Sequence, residues 1–374
     1  MAKRVSGSGT SSGREGPSAK TLGPTKATPS RRKKEAPVER EYVGIDLHRR
    51  RSVIVRKNAA GEVLDKVRID NSPIALAKAV AAAGPEPEVV LEATFGWYWA
   101  ADVLEEMGAR VHLAHPLGNN WGRRRVKNDE RDANDLVDLL RLGRLAEAWI
   151  APPEIREVRE VVRYRLKLVR LRGGLKAQVH AVMGKHGVLP ARVDMFGLGG
   201  TAQLDALDLS EGYMARLDSL RDLIDVYNRE INDLDRRIPK MLTNHQGYRA
   251  IQAIHGVGPI LAAVFVSEIG DVTRFPSPAH LASWAGMTPT HHESDTKVRR
   301  GKISKQGSRH VRWAAVEAVS KNHGDGKIKA DYRRISERRG RNIGRVAAAR
   351  KVLTLVFYGM RDGEIRCLTK ADQG

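Results

Sequence analysis

From Tyr42 onward three short β-rich runs follow one another, YVGIDLH, RSVIVRK and EVLDKVRI, separated by polar or glycine-containing turns. Runs of this length, rich in Val and Ile, pair as a three-strand antiparallel meander. A helix is expected next, at about 73–84, followed by a buried strand in EPEVVLEAT, a helix in WYWAADVLEEMG closed by Gly108, and another strand in ARVHLAH. A meander followed by alternating strand and helix is the order of an α/β sheet of ribonuclease-H type. That order rules out an all-helical or an all-β N-terminal domain.

The remainder reads as helical. Residues 127–148 carry a helical pattern with Leu136, Leu139 and Leu140 on one side, and Pro152 and Pro153 then punctuate the chain. From Glu154 to about His186, and again from Gly212 to Leu242, apolar residues recur at three- and four-residue spacing among dense charges. Two long helices packed as an antiparallel coiled-coil-like arm are expected, with the glycine-rich stretch from Phe196 to Thr201 as the turn region. Its basic face, VRYRLKLVRLRGGLK, either tracks phosphates or is simply solvated. Beyond 246, IQAIHGVGPILAAVFVSEIG gives a helix, a Gly-Val-Gly-Pro turn and a second helix. This resembles a helix-hairpin-helix element, which offers backbone N–H groups to a phosphate; the alternative is a packing turn between core helices. Residues 1–40, rich in Ser, Gly, Pro, Lys and Arg, cannot bury enough apolar surface to fold and are expected to be a disordered basic tail. The expected layout is therefore a tail at 1–40, an α/β domain at 41–150, a helical arm at 151–245 and a mainly α domain at 246–374.

Charge narrows the partners. Lys and Arg number 65 against 44 Asp and Glu, a formal net charge of +21. Such an excess concentrates phosphate-bearing ligands, so nucleic acid is the first expectation and an acidic membrane surface the second. The single cysteine, Cys367, excludes an intramolecular disulfide, and no run of about 18 apolar residues suggests a membrane span. With no signal-like N-terminus, a soluble protein of the cytoplasm, associated with the nucleoid, is expected.

Asp46 ends the apolar strand Val43-Gly44-Ile45, and Glu92 ends Val89-Val90-Leu91. Were these strands neighbours, the two carboxylates would converge, and converging carboxylates call for a cation. Asp129 and Asp132 lie one helical turn apart on one face; Asp135 and Asp138 continue the spacing, so spacing alone does not choose among them or exclude a merely acidic face. Four carboxylates suit hard divalent ions such as Mg²⁺, and two ions roughly 3.5 to 4 Å apart serve phosphodiester cleavage.

The polar segment AGMTPTHHESDTKVRRGKISKQGSRHVRW contains Ser294 between Glu293 and Asp295, read as a loop residue beside basic groups able to hold a phosphate. His291 and His292 lack cysteines or ligand spacing that would favour zinc, and no Gly-x-Ser-x-Gly elbow supports a hydrolase triad.

Taken in order, GIDLH with Asp46, LEAT with Glu92, KNDERDA with Asp129 and Asp132, and the GVGP, LASWAGMTP, ESDTK and GKISKQGSRHVRW blocks resemble the IS110 family of transposases over about residues 42–360. The resemblance implies a RuvC-like DEDD domain with Asp46, Glu92, Asp129 and Asp132 as Mg²⁺ ligands, and it selects the earlier aspartate pair. It also implies a C-terminal domain with Ser294 as nucleophile. Relatives often carry Ser-Ser-Gly there, where this chain has Glu293-Ser294-Asp295; Thr296 is the nearest other hydroxyl. The activity implied is DNA strand exchange through a transient phosphoserine, on donor and target DNA chosen by a noncoding bridge RNA, in a tetramer whose composite sites combine domains of different subunits. Two rivals stand beside it: a RuvC-like structure-specific endonuclease using metal-activated water, which needs no Ser294, and a non-catalytic nucleic-acid-binding protein. All three predict phosphate-dominated binding. Affinity for RNA or DNA is expected to fall on the order of 10³-fold or more between 50 and 200 mM salt, measured by titrating labelled oligonucleotides.

Overall fold

A computed structural model of the chain describes residues 40–116, 118–119, 128–295, 297–322 and 326–369, so the expected tail lies outside the described residues except for Arg40. The chain divides into two compact units, residues 1–149 and 150–374.

In the first unit the meander forms as expected from β1 (Tyr42–Leu47), β2 (Arg51–Lys57) and β3 (Val63–Asp70). With β4 (Glu88–Glu92), β5 (Arg110–Ala114) and the two-residue β6 (Glu147–Ala148) they make a six-stranded sheet in the order β3-β2-β1-β4-β5-β6. The β1–β4 and β4–β5 pairs are parallel, while β5–β6 is antiparallel. Helix α1 (Pro73–Ala81) starts where the Ser72 side chain accepts from the Ala75 amide, with a proline in the first turn, both favourable at a helix entry. It and α2 (Trp97–Glu106) pack against β3, β4 and β5. Helix α3 (Asp129–Arg141) buries Ala133, Val137 and Leu136 against Val53, Val55, Val90 and Ala114 of the sheet. Gly44 permits this closeness, because a Cβ at that position would collide with the Ala133 carbonyl and the Val137 side chain. This mixed α/β domain is consistent with a RuvC-like DEDD fold.

The second unit is largely helical. Its longest members, α4 (Pro153–Lys185) and α6 (Glu211–Met241), run antiparallel: Arg165 of α4 grips both oxygens of Asp235 at 2.8 and 3.1 Å, Arg172 reaches Asn228 at 2.7 Å and Gln178 meets Arg216 at 3.2 Å. Partner numbers thus fall along α6 as they rise along α4. At 33 residues, α4 is about 50 Å long. The connection contains a short helix, α5 (Leu198–Asp205), where a plain turn was expected. The reason is apolar: Leu204 and Met195 are buried with Val182, Met183 and Leu217 at the far end of the pair.

At the near end, Val158 and Val162 of α4 and Ile238 of α6 join one core with α7 (Gln246–Ile251), α8 (Pro259–Ile269), α9 (Pro278–Trp284), α10 (Arg309–Lys321) and α12 (Arg341–Asp362). Residues 151–245 and 246–374 therefore share hydrophobic substance. The basic α11 (Lys327–Arg339) packs on α12, and the short α13 (Arg366–Thr369) follows. The Gly-Val-Gly-Pro turn joins α7 to α8, and a Cβ on Gly256 would strike the Ala318 carbonyl of α10, so this glycine has a packing reason of its own. Among the described residues no helix is long and apolar enough to cross a membrane.

One buried carboxylate ties this unit together. Glu268 of α8 is bound through both oxygens by Arg163 of α4, at 2.6 and 3.0 Å, and contacts Ser308 Oγ at 3.1 Å and His310 Nδ1 at 3.2 Å. Burial alone would raise its pKa, but the hydrogen bonds from His310 and Arg163 outweigh burial and hold it down at about 2. A depressed carboxylate stabilises the fold above the ordinary carboxylate range, and that contribution disappears as pH falls toward 2. Glu268→Gln is expected to cost about 2 kcal/mol at pH 7 and to flatten the acid dependence of unfolding between about pH 4.5 and 2; urea denaturation followed by circular dichroism measures both.

Candidate active site

The last residues in register between β1 and β4 are Ile45 and Leu91, so Asp46 and Glu92 stand side by side one step further, at the carboxyl ends of two parallel strands. Ligand sites in α/β sheets favour such ends. Gly44 faces α3, and strand alternation carries Asp46, two residues on, to the same face; Val90 and Glu92 repeat the relation on β4. Helix α3 begins there. Its Asn128 cap accepts from the Glu130 amide, and Asp129 and Asp132 occupy the first turn, where the helix dipole favours negative charge. Asp46, Glu92, Asp129 and Asp132 consequently line one cleft of about 340 Å³, together with His48, Arg49 and Phe95.

The later aspartates of α3 do not line it. Asp138 accepts from the buried Lys57 ammonium at 2.7 Å and from Arg141 at 3.4 Å. Its task is to balance a lysine taken out of water.

Ser294 belongs to the other unit. The polar segment forms a hairpin, β7 (Pro289–Ser294) and β8 (Lys297–Ile303), where a loop was expected. Ser294 is the last residue of β7, paired with Lys297 across a two-residue turn in which Asp295 takes φ 51°, a conformation Asp tolerates and such turns require. The base of the hairpin is fastened by Ser304 N–H to Thr288 O at 2.9 Å and Lys305 N–H to Gly286 O at 3.0 Å. Arg312 Nη1 then donates to the carbonyls of Ala285, Gln306 and Gly307 at 2.9, 3.3 and 3.1 Å. Ser294 is exposed, and among the described residues its hydroxyl makes no hydrogen bond. His291 and Glu293 pair at 3.2 Å, on the strand face opposite to Ser294 by alternation. Thr296 lies outside the described residues.

Asp46 is the strained member of the carboxylate group. The residue is only 9% exposed, and its Oδ2 has no hydrogen-bond donor of proper geometry, although His48 Nε2 lies 3.0 Å away. His48 Nε2 is also 3.4 Å from Asp129 Oδ1, and one donor atom from each of Asp46, His48 and Asp129 falls within 4.8 Å of the others. Burial pushes the Asp46 carboxyl up; His48 opposes this, while Asp129 and Asp132 reinforce it. A buried carboxylate oxygen without a donor, beside further carboxylates, is the setting a divalent cation relieves. His48 was missing from the sequence reading; the available signal was its parity, two residues beyond Asp46. Without divalent ions, Asp46→Asn is expected to unfold about 2 to 4 °C higher than the unaltered chain, because it removes an unfavourable charge. Added Mg²⁺ or Mn²⁺ should raise the melting temperature of the unaltered chain and leave the variant's where it is, as calorimetry would show.

Comparison with known proteins bears on both units. The DEDD transposase model of IS110 type matches residues 43–187, and that of the transposase IS116/IS110/IS902 family matches residues 248–333. A putative transposase, y4qE, of Sinorhizobium fredii is 28% identical over 199 residues, 52% of this chain and 48% of the relative. The transposase for insertion sequence element IS1328 of Yersinia enterocolitica is 22% identical over 280 residues, 74% of this chain and 82% of the relative. A pilin gene-inverting protein of Moraxella lacunata is 29% identical over 148 residues, 37% of this chain and 46% of the relative. The chain spans about half the length of two of these relatives, y4qE and the pilin gene-inverting protein. With a DEDD transposase match over its sheet and α4 and a second family match over its helical unit, the chain belongs to the IS110 family of transposases.

Proposed function

We propose that the protein is a DNA recombinase of an insertion sequence, cutting and rejoining donor and target strands through a covalent phosphoserine at Ser294. The observation that carries this reading is the convergence of Asp46, Glu92, Asp129 and Asp132, from two strands and a helix, in one cleft. The names of the relatives, transposases and a pilin gene-inverting protein, support strand exchange over simple cleavage.

Asp46, Glu92, Asp129 and Asp132 would hold the divalent ion, Mg²⁺ by their all-oxygen chemistry, with His48 beside them. Bound there, the ion would neutralise phosphate charge and favour attack at phosphorus. Ser294 contributes its oxygen: Oγ bonds to phosphorus, the bond to one strand's sugar oxygen breaks, and that oxygen leaves as a hydroxyl after taking a proton. A hydroxyl of another strand then attacks the phosphoserine and releases Ser294. One phosphodiester is lost and one gained, so no external energy source is needed. Exposure at a hairpin end suits Ser294 to reach a bulky polymer.

Donor and target DNA, a bridge-type RNA and a tetramer with sites shared between subunits complete the proposal. They rest on the family resemblance and on the net charge of +21, which suits binding of more than one nucleic acid. The second reading, a RuvC-like endonuclease acting through water, is favoured by one observation: all four carboxylates lie in the first unit, and Ser294 lies in the second.

The test incubates the protein and its co-purifying RNA with Mg²⁺ and end-labelled junction DNA, then denatures the mixture. A protein–DNA adduct is expected with the unaltered chain, reduced to background in Ser294→Ala and in Asp46→Ala. Cleaved DNA without adduct would establish the endonuclease instead.

A further inference from the structure

The second unit holds a cavity of about 490 Å³, lined by none of the residues assigned above to strand exchange. Its walls come from the turn between α7 and α8, the end of α10, the start of α11, α12 and α13. The size falls within the range of about 300–1,000 Å³ in which proteins hold small molecules. Ile254, Ile328, Leu355 and Leu368 form its apolar lining. Ile254 belongs to the core, and the other three lean on that core while staying only partly buried. An apolar occupant would remove from water the surfaces that packing has left open. Among the described residues around the cavity there is no carboxylate and no Phe, Tyr or Trp ring. A nucleobase would therefore find no ring to stack on, whereas an aliphatic chain needs none. The charge beside this lining is positive. Lys327, exposed at the start of α11, makes no ion pair among the described residues. Lys351 bonds to Asp331, but that carboxylate is also held by Arg334 at 2.9 Å, so two cations share one anion. The first turn of α11 carries no acidic side chain, and the positive end of the helix adds to the same field.

We propose that this cavity binds an aliphatic carboxylate of medium chain length, its chain against Ile254, Ile328, Leu355 and Leu368 and its head group at Lys327 and Lys351. A net charge of +21 attracts anions to the whole protein, but an aliphatic lining with cations beside it selects an anion that carries an apolar tail. His255 adds a ring nitrogen able to donate to the same head group. Because α11, α12 and α13 each supply part of the wall, an occupant joins three segments and stabilises the unit that holds them. The assignment is independent of the strand-exchange reading.

The test uses the full-length chain and Cys367, its single cysteine, which is exposed and lines the cavity. The rate at which N-ethylmaleimide alkylates this thiol is followed against added hexanoate, octanoate and decanoate, all kept below the concentrations at which they form micelles. Decanoate is expected to slow alkylation about tenfold or more, and the concentration giving half-protection to fall about fourfold per added methylene along the series. Decylammonium, with the same chain and the opposite charge, should protect about tenfold less well or worse. Lys327→Glu is expected to raise the half-protecting concentration of decanoate by a similar factor, and Leu355→Trp, which fills the cavity, to abolish protection, each read against its own rate without ligand. Circular dichroism checks the fold of both variants; should Leu355→Trp not fold, the exposed Lys327→Glu decides. Absence of protection by decanoate would overturn the proposal. So would equal protection by decylammonium, by inorganic phosphate or by adenosine monophosphate, or protection unchanged in Lys327→Glu. None of these outcomes alters the adduct expected at Ser294, so the failure of one reading is distinguishable from the failure of the other.

Discussion

The approach of α3 to β1 decides what the first unit can do. An α-helix can lie this close to a strand only where side chains leave room, and Gly44 leaves it beneath Ala133 and Val137. That contact brings the first turn of α3 over the end of β1, so Asp129 and Asp132 share a cleft with Asp46. A larger side chain at position 44 would push the helix outward and spread the carboxylates, an effect reaching the site from two residues away. The helix dipole then makes the close grouping more tolerable for Asp129 and Asp132 than for Asp46, which sits at a strand end with an oxygen that no donor properly satisfies.

The second unit solves a different problem. Its hairpin must extend an exposed serine without collapsing, and it does so from a base stitched by backbone bonds and by the Arg312 fork. Arg312 sits on α10, whose first turn is held by Ser308 and His310 to Glu268, and Glu268 is in turn clasped by Arg163 of the long helix α4. Placement of the hairpin is therefore connected, through a chain of charged hydrogen bonds, to the orientation of the helical pair.

Much of this was legible in the residues. Strand parity and turn composition indicate the meander and the later strands, because a period of two is imposed by the backbone itself, whereas the parallel pairing of β1 with β4 that sets Asp46 beside Glu92 emerges only in the sheet. The two long helices followed from their apolar spacing. What spacing could not distinguish was Asp132 from Asp138, since both obey the same rule; the distinction arises from Lys57, eighty-one residues away from Asp138 and brought to it only by tertiary packing. His48 is easy to overlook because it lies one residue past the end of β1, so its parity with Asp46 is the sole sequence signal and no strand pairing enforces it. The hairpin around Ser294 was hidden by its polarity. A strand pair with one exposed ribbon needs no hydrophobic alternation, so its pattern resembles that of a loop.

The four cleft carboxylates come from three distant stretches of chain, near residues 46, 92 and 129–132. During synthesis, the first strand leaves the ribosome long before the helix that completes the cleft, and the meander can pair before either of the other contributors exists. The grouping of like charges is thus postponed until β4 and α3 have docked, when enough apolar surface has been buried to withstand the repulsion. A nascent chain stopped short of α3 would carry Asp46 and Glu92 without their partners. The order of translation thereby keeps the carboxylate cleft unassembled until its domain is whole.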